Sequence, residues 1–245
     1  LVKKYFNREM IVPLIVLFIL GGLQGAIGWI MVQSGLNDTD LYVSHIRLSI
    51  HFMAALVLLC YNLWFALRLI VPEREKMVHP GLWRFNIITI VLLTVQLIYG
   101  AFMAGLRAAP SAPTWPTING AWLVENTASY GSRTFQGLQV VTDHPLMVHL
   151  IHRTLAYILF FVIIYGAVWL YSTAKKSSNA LLKKAAIWPA ILVSLQVLLG
   201  IFTVLTGPQI AYNRFGIFES FAQAHQLVAM FLIMSLTLNL YLVRR

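Results

Sequence analysis

Three histidines lie at matching depths in three apolar segments, and each is followed four residues later by alanine: His51/Ala55, His152/Ala156 and His225/Ala229. A histidine inside a membrane is costly unless something holds its ring, so each marks a functional site. An alanine one helical turn away lies on the same face and leaves room beside the imidazole for something flat and bulky. The chemistry this pattern suggests is imidazole ligation of a haem iron. Arg153 follows His152 directly, and Arg47 precedes His51 by one turn on the same face. Each arginine can pair a haem propionate, or snorkel to the membrane interface. His149, three residues before His152, can serve the same site or face interfacial water. His45, His79 and His144 fall at span ends or in loops, with no partner readable from sequence.

Other metals suit the pattern less well. Zinc and copper sites want three or four close ligands, with Cys, Met or carboxylate among them. The chain has no H-x-x-x-H and no C-x-x-C, and Glu219 is the one carboxylate near His225, six positions away. No acid sits mid-span for a buried proton relay.

The elements that must position these residues are membrane helices. The chain is 59% hydrophobic and 11% charged, with a mean hydropathy of +0.77, far more apolar than a soluble domain of 245 residues requires. The net charge of +10 does not indicate nucleic-acid binding, because the basic residues cluster in short loops between apolar runs. The single cysteine, Cys60, lies inside an apolar run and reads as packing. The chain lacks an initial methionine and a signal-peptide pattern, and is expected to begin within a longer protein.

Six stretches are long enough to cross a bilayer as helices: Ile11–Gln33, Ser44–Val71, Asn86–Ala104, Leu146–Ser172, Ala185–Thr206 and Phe218–Val243. Thirteen of the 18 basic residues fall on one side: Lys3, Lys4 and Arg8; Arg68, Arg74, Lys76 and Arg84; Lys175, Lys176, Lys183 and Lys184; Arg244 and Arg245. That bias predicts both termini in the cytoplasm, or in the matrix of a mitochondrion. The second, fourth and sixth spans then all enter from the outer side. Their histidines lie roughly two turns in, about 10–13 Å deep at 1.5 Å per residue, in one layer. One long outer loop, 105–145, carries turn signals at Pro110, Pro113, Pro116 and Asn119-Gly120. Its Trp115 and Trp122 suit a lid on the membrane surface, and a solvated connector is the equal alternative.

The first span reads Leu23-Gln24-x-x-x-Gly28-x-x-x-Val32-x-Ser34-Gly35, and the fifth reads Leu195-Gln196-x-x-x-Gly200-x-x-x-Val204-x-Thr206-Gly207. The offset is 172 residues, against 174 between His51 and His225. The third span carries a weaker echo, Gln96-x-x-x-Gly100-x-x-x-Ala104. The three glutamines suit interhelical hydrogen bonds, or contact with a cofactor edge; Gly21, Gly22, Gly25, Gly28 and Gly200 suit close helix packing. The predicted fold is an all-α membrane protein of six transmembrane helices. Residues 73–245 form a complete four-helix repeat with the outer loop, and 1–72 form the second half of a related N-terminal repeat. Within the complete bundle His152 and His225 pair across diagonal helices. The counterpart of His152 in the first repeat is absent from the chain, whether lost or supplied by another molecule.

These residues resemble a known family. The run Gly22-Leu23-Gln24-Gly25-Ala26-Ile27-Gly28-Trp29-x-Met31-Val32-x-Ser34-Gly35-Leu36 is similar to the third helix of haem A synthases. Val43-Ser44-x-x-Arg47-Leu48-x-x-His51 resembles their fourth, His152-Arg153-x-x-Ala156-Tyr157 their sixth and Ala224-His225-Gln226 their eighth. The loop Thr114-Trp115-Pro116-x-x-Asn119-Gly120-x-Trp122 also resembles the family, in its proteobacterial and mitochondrial branch, which lacks cysteine pairs there. The resemblance implies an eight-helix protein of which the first two helices are absent here. It implies an oxidoreductase that converts the C8 methyl group of haem O to a formyl group, giving haem A for terminal oxidase assembly. His152 and His225 would bind a haem b, with Arg153 and Arg47 at propionates, and His51 would be a catalytic-site ligand of the substrate haem. Haem O synthase would donate the substrate, in the bacterial or mitochondrial inner membrane, among membrane lipids; a homo-oligomer is left open, and nucleic acid is not a partner. The alternative is a membrane cytochrome b that carries electrons without modifying haem, which suits His152 and His225 equally but leaves the copied unit with His51 unexplained. A non-haem transporter or assembly factor would not need His-Arg beside an aligned second histidine.

Overall fold

A computed structural model of the chain describes residues 8–38, 41–211 and 214–245. Lys3 and Lys4, counted above on the basic side, lie outside them. Six long helices dominate: α1 (Arg8–Val32), α2 (His45–Ile70), α3 (Pro80–Gly105), α5 (Pro145–Lys176), α6 (Ala180–Leu205) and α7 (Ile217–Leu242), with a single-turn α4 (Gln139–Thr142) in the long loop. All six are long and apolar enough to cross a membrane, so this is a multi-pass membrane protein. The helices extend past several of the apolar runs, and α3 starts six residues before the predicted Asn86. Its first turn is amphipathic, and a helix keeps its backbone hydrogen-bonded there at no cost in buried polarity.

Helix starts are set by side-chain caps. His79 Nδ1 accepts from the Leu82 amide at 3.2 Å with Pro80 in the first turn, and His144 Nδ1 accepts from Met147 at 3.3 Å with Pro145 there. Both His-Pro pairs use a ring nitrogen on an otherwise orphaned amide, next to a proline that lacks one. Asn179 caps α6 through Leu182 N at 2.8 Å. Pro13 and Pro189 lie inside helices, where neighbouring helices tolerate them.

Helices α3, α5, α6 and α7 pack as a ring in that order, each against the next, so α5 and α7 are diagonal. Helix α2 lies against α3 and α7, and α1 packs on α2. Buried apolar side chains from five helices fill the middle: Leu56, Leu93, Leu97, Leu159, Ile163 and Leu232 among them. A second cluster closes the basic end, where the two-residue strands Met77–Val78 and Val243–Arg244 pair in parallel. This packing leaves the histidine layer at the opposite end, one turn beyond the main core.

The loop over that end is ordered. Ala108, Ala112, Ile118, Phe135 and His144 are buried in it. Asn119 and Gly120 take positive φ of 52° and 91° between the paired Ile118 and Ala121, a reversal in which asparagine and glycine are tolerated. Trp115, Trp122 and Leu123 point outward and are exposed.

Candidate functional site

Each histidine of the layer is held by the helix before it, in the same way three times. The ascending helix offers glutamine and, one turn on, glycine; the descending helix offers histidine. His51 of α2 meets Gln24 of α1, whose Nε2 lies 3.3 Å from Nδ1 and 3.4 Å from Nε2 and also donates to the His51 carbonyl at 3.1 Å. His152 of α5 meets Gln96 of α3, with Nε2 3.1 Å from Nδ1 and 3.3 Å from Nε2. His225 of α7 meets Gln196 of α6 at 3.2 Å through Nε2, and its Nδ1 lies 3.0 Å from the Gln196 carbonyl oxygen. A glutamine at mid-membrane is thereby given a polar partner on the neighbouring helix, a contact worth on the order of 1 kcal/mol.

The glycines complete the cradle. A Cβ on Gly28 would stand 2.8 Å from His51 Cε1, one on Gly200 3.0 Å from His225 Cε1, and one on Gly100 3.4 Å from His152 Cε1. The Cε1 edge of each ring therefore lies in the notch of a glycine. By contrast, a Cβ on Gly21, Gly22 or Gly25 would meet nothing within 4 Å, so the close-packing expectation does not hold at those three positions in this structure. For Gly28 and Gly200 the partner is a ring rather than a backbone.

The imidazoles of His152 and His225 approach one another across the diagonal, centroids 6.5 Å apart with planes at 71°. Two bonds of about 2 Å from ring nitrogens to one metal ion, plus the ring widths, span roughly that distance. Among the described residues no three His, Cys, Asp or Glu side chains converge, so the donor set is a pair of neutral imidazoles. That set suits a six-coordinate haem iron and leaves a tetrahedral site incomplete. The His225 contacts also select a tautomer. A carbonyl oxygen only accepts, so Nδ1 carries the proton and Nε2 the lone pair, which here faces the Gln196 amide nitrogen at 3.2 Å.

The neighbouring groups shape the roof of this layer. Arg153, expected beside a haem propionate, gives Nη1 to the carbonyls of Thr114 at 2.8 Å and Thr117 at 3.0 Å, and Nη2 to that of Ala112 at 2.7 Å. It is 8% exposed and its Nε has no partner. His149 is fully buried, with Nε2 2.8 Å from the Ala108 carbonyl and Nδ1 unpartnered. One face of α5 thus carries His149, Arg153 and Tyr157 at successive turns, and the first two fasten the loop segment 108–117 down. Arg47 is exposed and donates to the Ile30 carbonyl at 3.0 Å, closing the end of α1. Glu219 accepts from Ala211 N at 3.0 Å and Gly216 N at 2.9 Å, folding the connector ahead of α7. His45 lies 3.5 Å from Asp143.

The structure thus brings His152 and His225 together and gives His51 a cradle of its own against α1. Pattern reading found the glutamines and glycines as a repeat, but their partners were not legible: the three Gln–His separations are 27, 56 and 29 residues. The signal lay in the repeat, each Gln-x-x-x-Gly preceding one histidine-bearing span.

Comparison with known proteins follows the same lines. The family model described as cytochrome oxidase assembly protein (COX15-CtaA) matches residues 1–237. The chain is 36% identical over 226 residues to a protein named heme A synthase from Rhizorhabdus wittichii, covering 90% of the chain and 58% of that relative. It is 34% identical over 243 residues to one of the same name from Flavobacterium johnsoniae, covering 98% and 66%. It is 37% identical over 224 residues to another from Bradyrhizobium diazoefficiens, covering 91% and 57%. The chain spans about three-fifths of the length of the curated relatives it matches.

Proposed function

The chain belongs to the family of cytochrome oxidase assembly proteins, and on that premise we propose that it is a haem A synthase, or the greater part of one. The reaction is oxidation of the C8 methyl group of haem O to a formyl group, giving haem A for terminal oxidases. The names of its relatives support the activity. The observation that carries the reading at residue level is the pair of imidazoles, His152 and His225, with centroids 6.5 Å apart on diagonal helices.

In this reading His152 and His225 hold a haem b, and His51 is a ligand to the substrate haem. A haem held by these two histidines would supply electron transfer. The work of the chain is to hold and to exclude. The Gln196 carbonyl holds the proton of His225 on Nδ1 and so leaves the lone pair on Nε2. Gly100 and Gly200 set how far each ring stands from its helix. Arg153 and His149 draw segment 108–117 over the layer and keep water from it. The Nε of Arg153 is a buried donor without a partner, and a propionate is the acceptor it suits; a buried orphan otherwise costs about 1–3 kcal/mol. Arg47 stands about one turn before His51 and would serve the substrate haem likewise.

Haem O synthase as substrate donor, the inner membrane and both termini on its cytoplasmic or matrix side complete the proposal; the basic residues at the end opposite the histidines support that orientation. A cytochrome b that only carries electrons would need the α5–α7 pair and no more. The third cradle, Gln24–Gly28 around His51, favours the synthase. The test is to supply haem O to membranes containing the protein and extract the pigments. Hydroxylated or formylated haem is expected; its absence, with the low-spin spectrum intact, would leave the carrier.

A further inference from the structure

The amide oxygens of Gln24, Gln96 and Gln196 are all buried and all without a hydrogen-bond partner. A buried amide oxygen left without a partner calls for a reason, and at Gln96 the neighbouring ring supplies one. As the side chains stand, Gln96 Nε2 lies 3.1 Å from Nδ1 and 3.3 Å from Nε2 of His152, and a donor there needs the nitrogen it meets unprotonated. A histidine that commits Nε2 to a metal carries its proton on Nδ1 and needs an acceptor there. A half-turn of the amide about Cγ–Cδ exchanges its nitrogen for its oxygen. The orphaned Oε1 would then stand about 3 Å from Nδ1, within hydrogen-bond reach. His51 does not share this option, because Gln24 Nε2 also donates to the His51 carbonyl at 3.1 Å, where an exchanged oxygen would meet another acceptor. His225 does not need it, because the main-chain carbonyl of Gln196 already lies 3.0 Å from its Nδ1.

Resting on the haem reading above, we infer that Gln96 is a positioning residue for His152, its amide oxygen accepting the Nδ1 proton when Nε2 binds iron. The two axial ligands of the α5–α7 haem are then unlike. One is oriented by a side chain, the other by backbone that substitution leaves in place. An acceptor on Nδ1 makes the imidazole more basic and favours ferric over ferrous iron. Removing it raises the reduction potential, and replacing it by a carboxylate lowers it.

The test is a potentiometric titration of the protein purified with its haem, in wild type, Gln96→Leu, Gln96→Glu, Gln196→Leu and Asn239→Leu. Asn239 is a buried polar residue near the basic end of α7, so its variant reports on packing alone. Tenfold in the ratio of ferric to ferrous affinity is about 59 mV for one electron, and Gln96→Leu is expected to move the midpoint upward by a shift of that order. Gln96→Glu should move it downward, Gln196→Leu should move it less than Gln96→Leu, and Asn239→Leu should match wild type. Haem lost from Gln96→Leu but kept, at lower potential, by Gln96→Glu also supports the inference. Shifts of one sign in both Gln96 variants, no shift in either, or haem loss from Gln96→Glu would overturn it. A wild-type protein with no low-spin haem would refute the underlying site instead, and shows before any variant is made.

Discussion

The glycine cradles make a graded prediction, with Gly200→Ala at its centre. The new Cβ would lie 3.0 Å from His225 Cε1 and 3.4 Å from Nδ1. Carbon atoms rest at about 3.5–4.0 Å, so the ring must retreat by roughly 0.5–1 Å. That retreat stretches the 3.0 Å contact from Nδ1 to the Gln196 carbonyl beyond the usual limit of about 3.2 Å. It also moves Nε2 several times further than the ~0.2 Å that ligand distances tolerate. Loss of ligand orientation of this kind costs about 10–100-fold in metal affinity, or roughly 1.4–2.8 kcal/mol. Helix propensity works the other way, since alanine favours a helix over glycine by about 1 kcal/mol. A loss of haem would therefore not stem from a weakened helix. The assay is haem content per protein and the rate of haem transfer to an apo-globin acceptor, followed with the low-spin spectrum. Gly100→Ala, where the Cβ contact is 3.4 Å, is expected to lose less haem than Gly200→Ala. Gly28→Ala has the tightest contact, 2.8 Å, but acts on His51 and should spare the α5–α7 spectrum. A Gly200→Ala protein that keeps its haem as tightly as wild type, or loses less than Gly100→Ala, would refute the claim that the notch sets ring position.

Other outcomes follow from the same geometry. His152→Ala or His225→Ala should abolish the six-coordinate low-spin spectrum, while His51→Ala should leave most of it; equal losses would mean that the three rings serve one site. Arg153→Ala removes three charge-assisted hydrogen bonds to the loop, each worth about 1.5–3 kcal/mol and not additive. Amide exchange or proteolysis in 106–123 should rise at least tenfold, with the helices unaffected; unchanged protection would show that apolar burial of Ala112 and Ile118 suffices. Glu219→Ala releases two amides ahead of α7 and should lower Tm in detergent by a few degrees, about 2–4 °C per kcal/mol in a chain of this size. An unaltered Tm would make that carboxylate dispensable to the fold.

Six spans, the shared depth of three histidines and the repeat from the first span to the fifth were legible in the residues alone. Each of these is a local property. A bilayer demands some twenty apolar residues per crossing, and rise per residue converts position into depth. The same logic left the starts of α3 and α6 five or six residues short, because His79 and Asn179 cap those helices earlier and hydropathy is blind to capping.

Only the tertiary structure decided partnership. The residues of α3 and α5 that meet at His152 lie 56 positions apart, across the long loop, and nothing in either helix names the other. Gln96 therefore reads as a weaker echo in sequence, yet stands 3.1 Å from a ring just as its stronger copies stand at 3.3 and 3.2 Å. Arg153 shows the converse. Its place beside His152 is written in the chain, but its three carbonyl partners come from a loop whose path depends on how α3, α5 and α6 pack beneath it. Periodicity assigns a side chain to a face and a depth; which groups share that space is settled when the helices pack and every buried donor must find an acceptor.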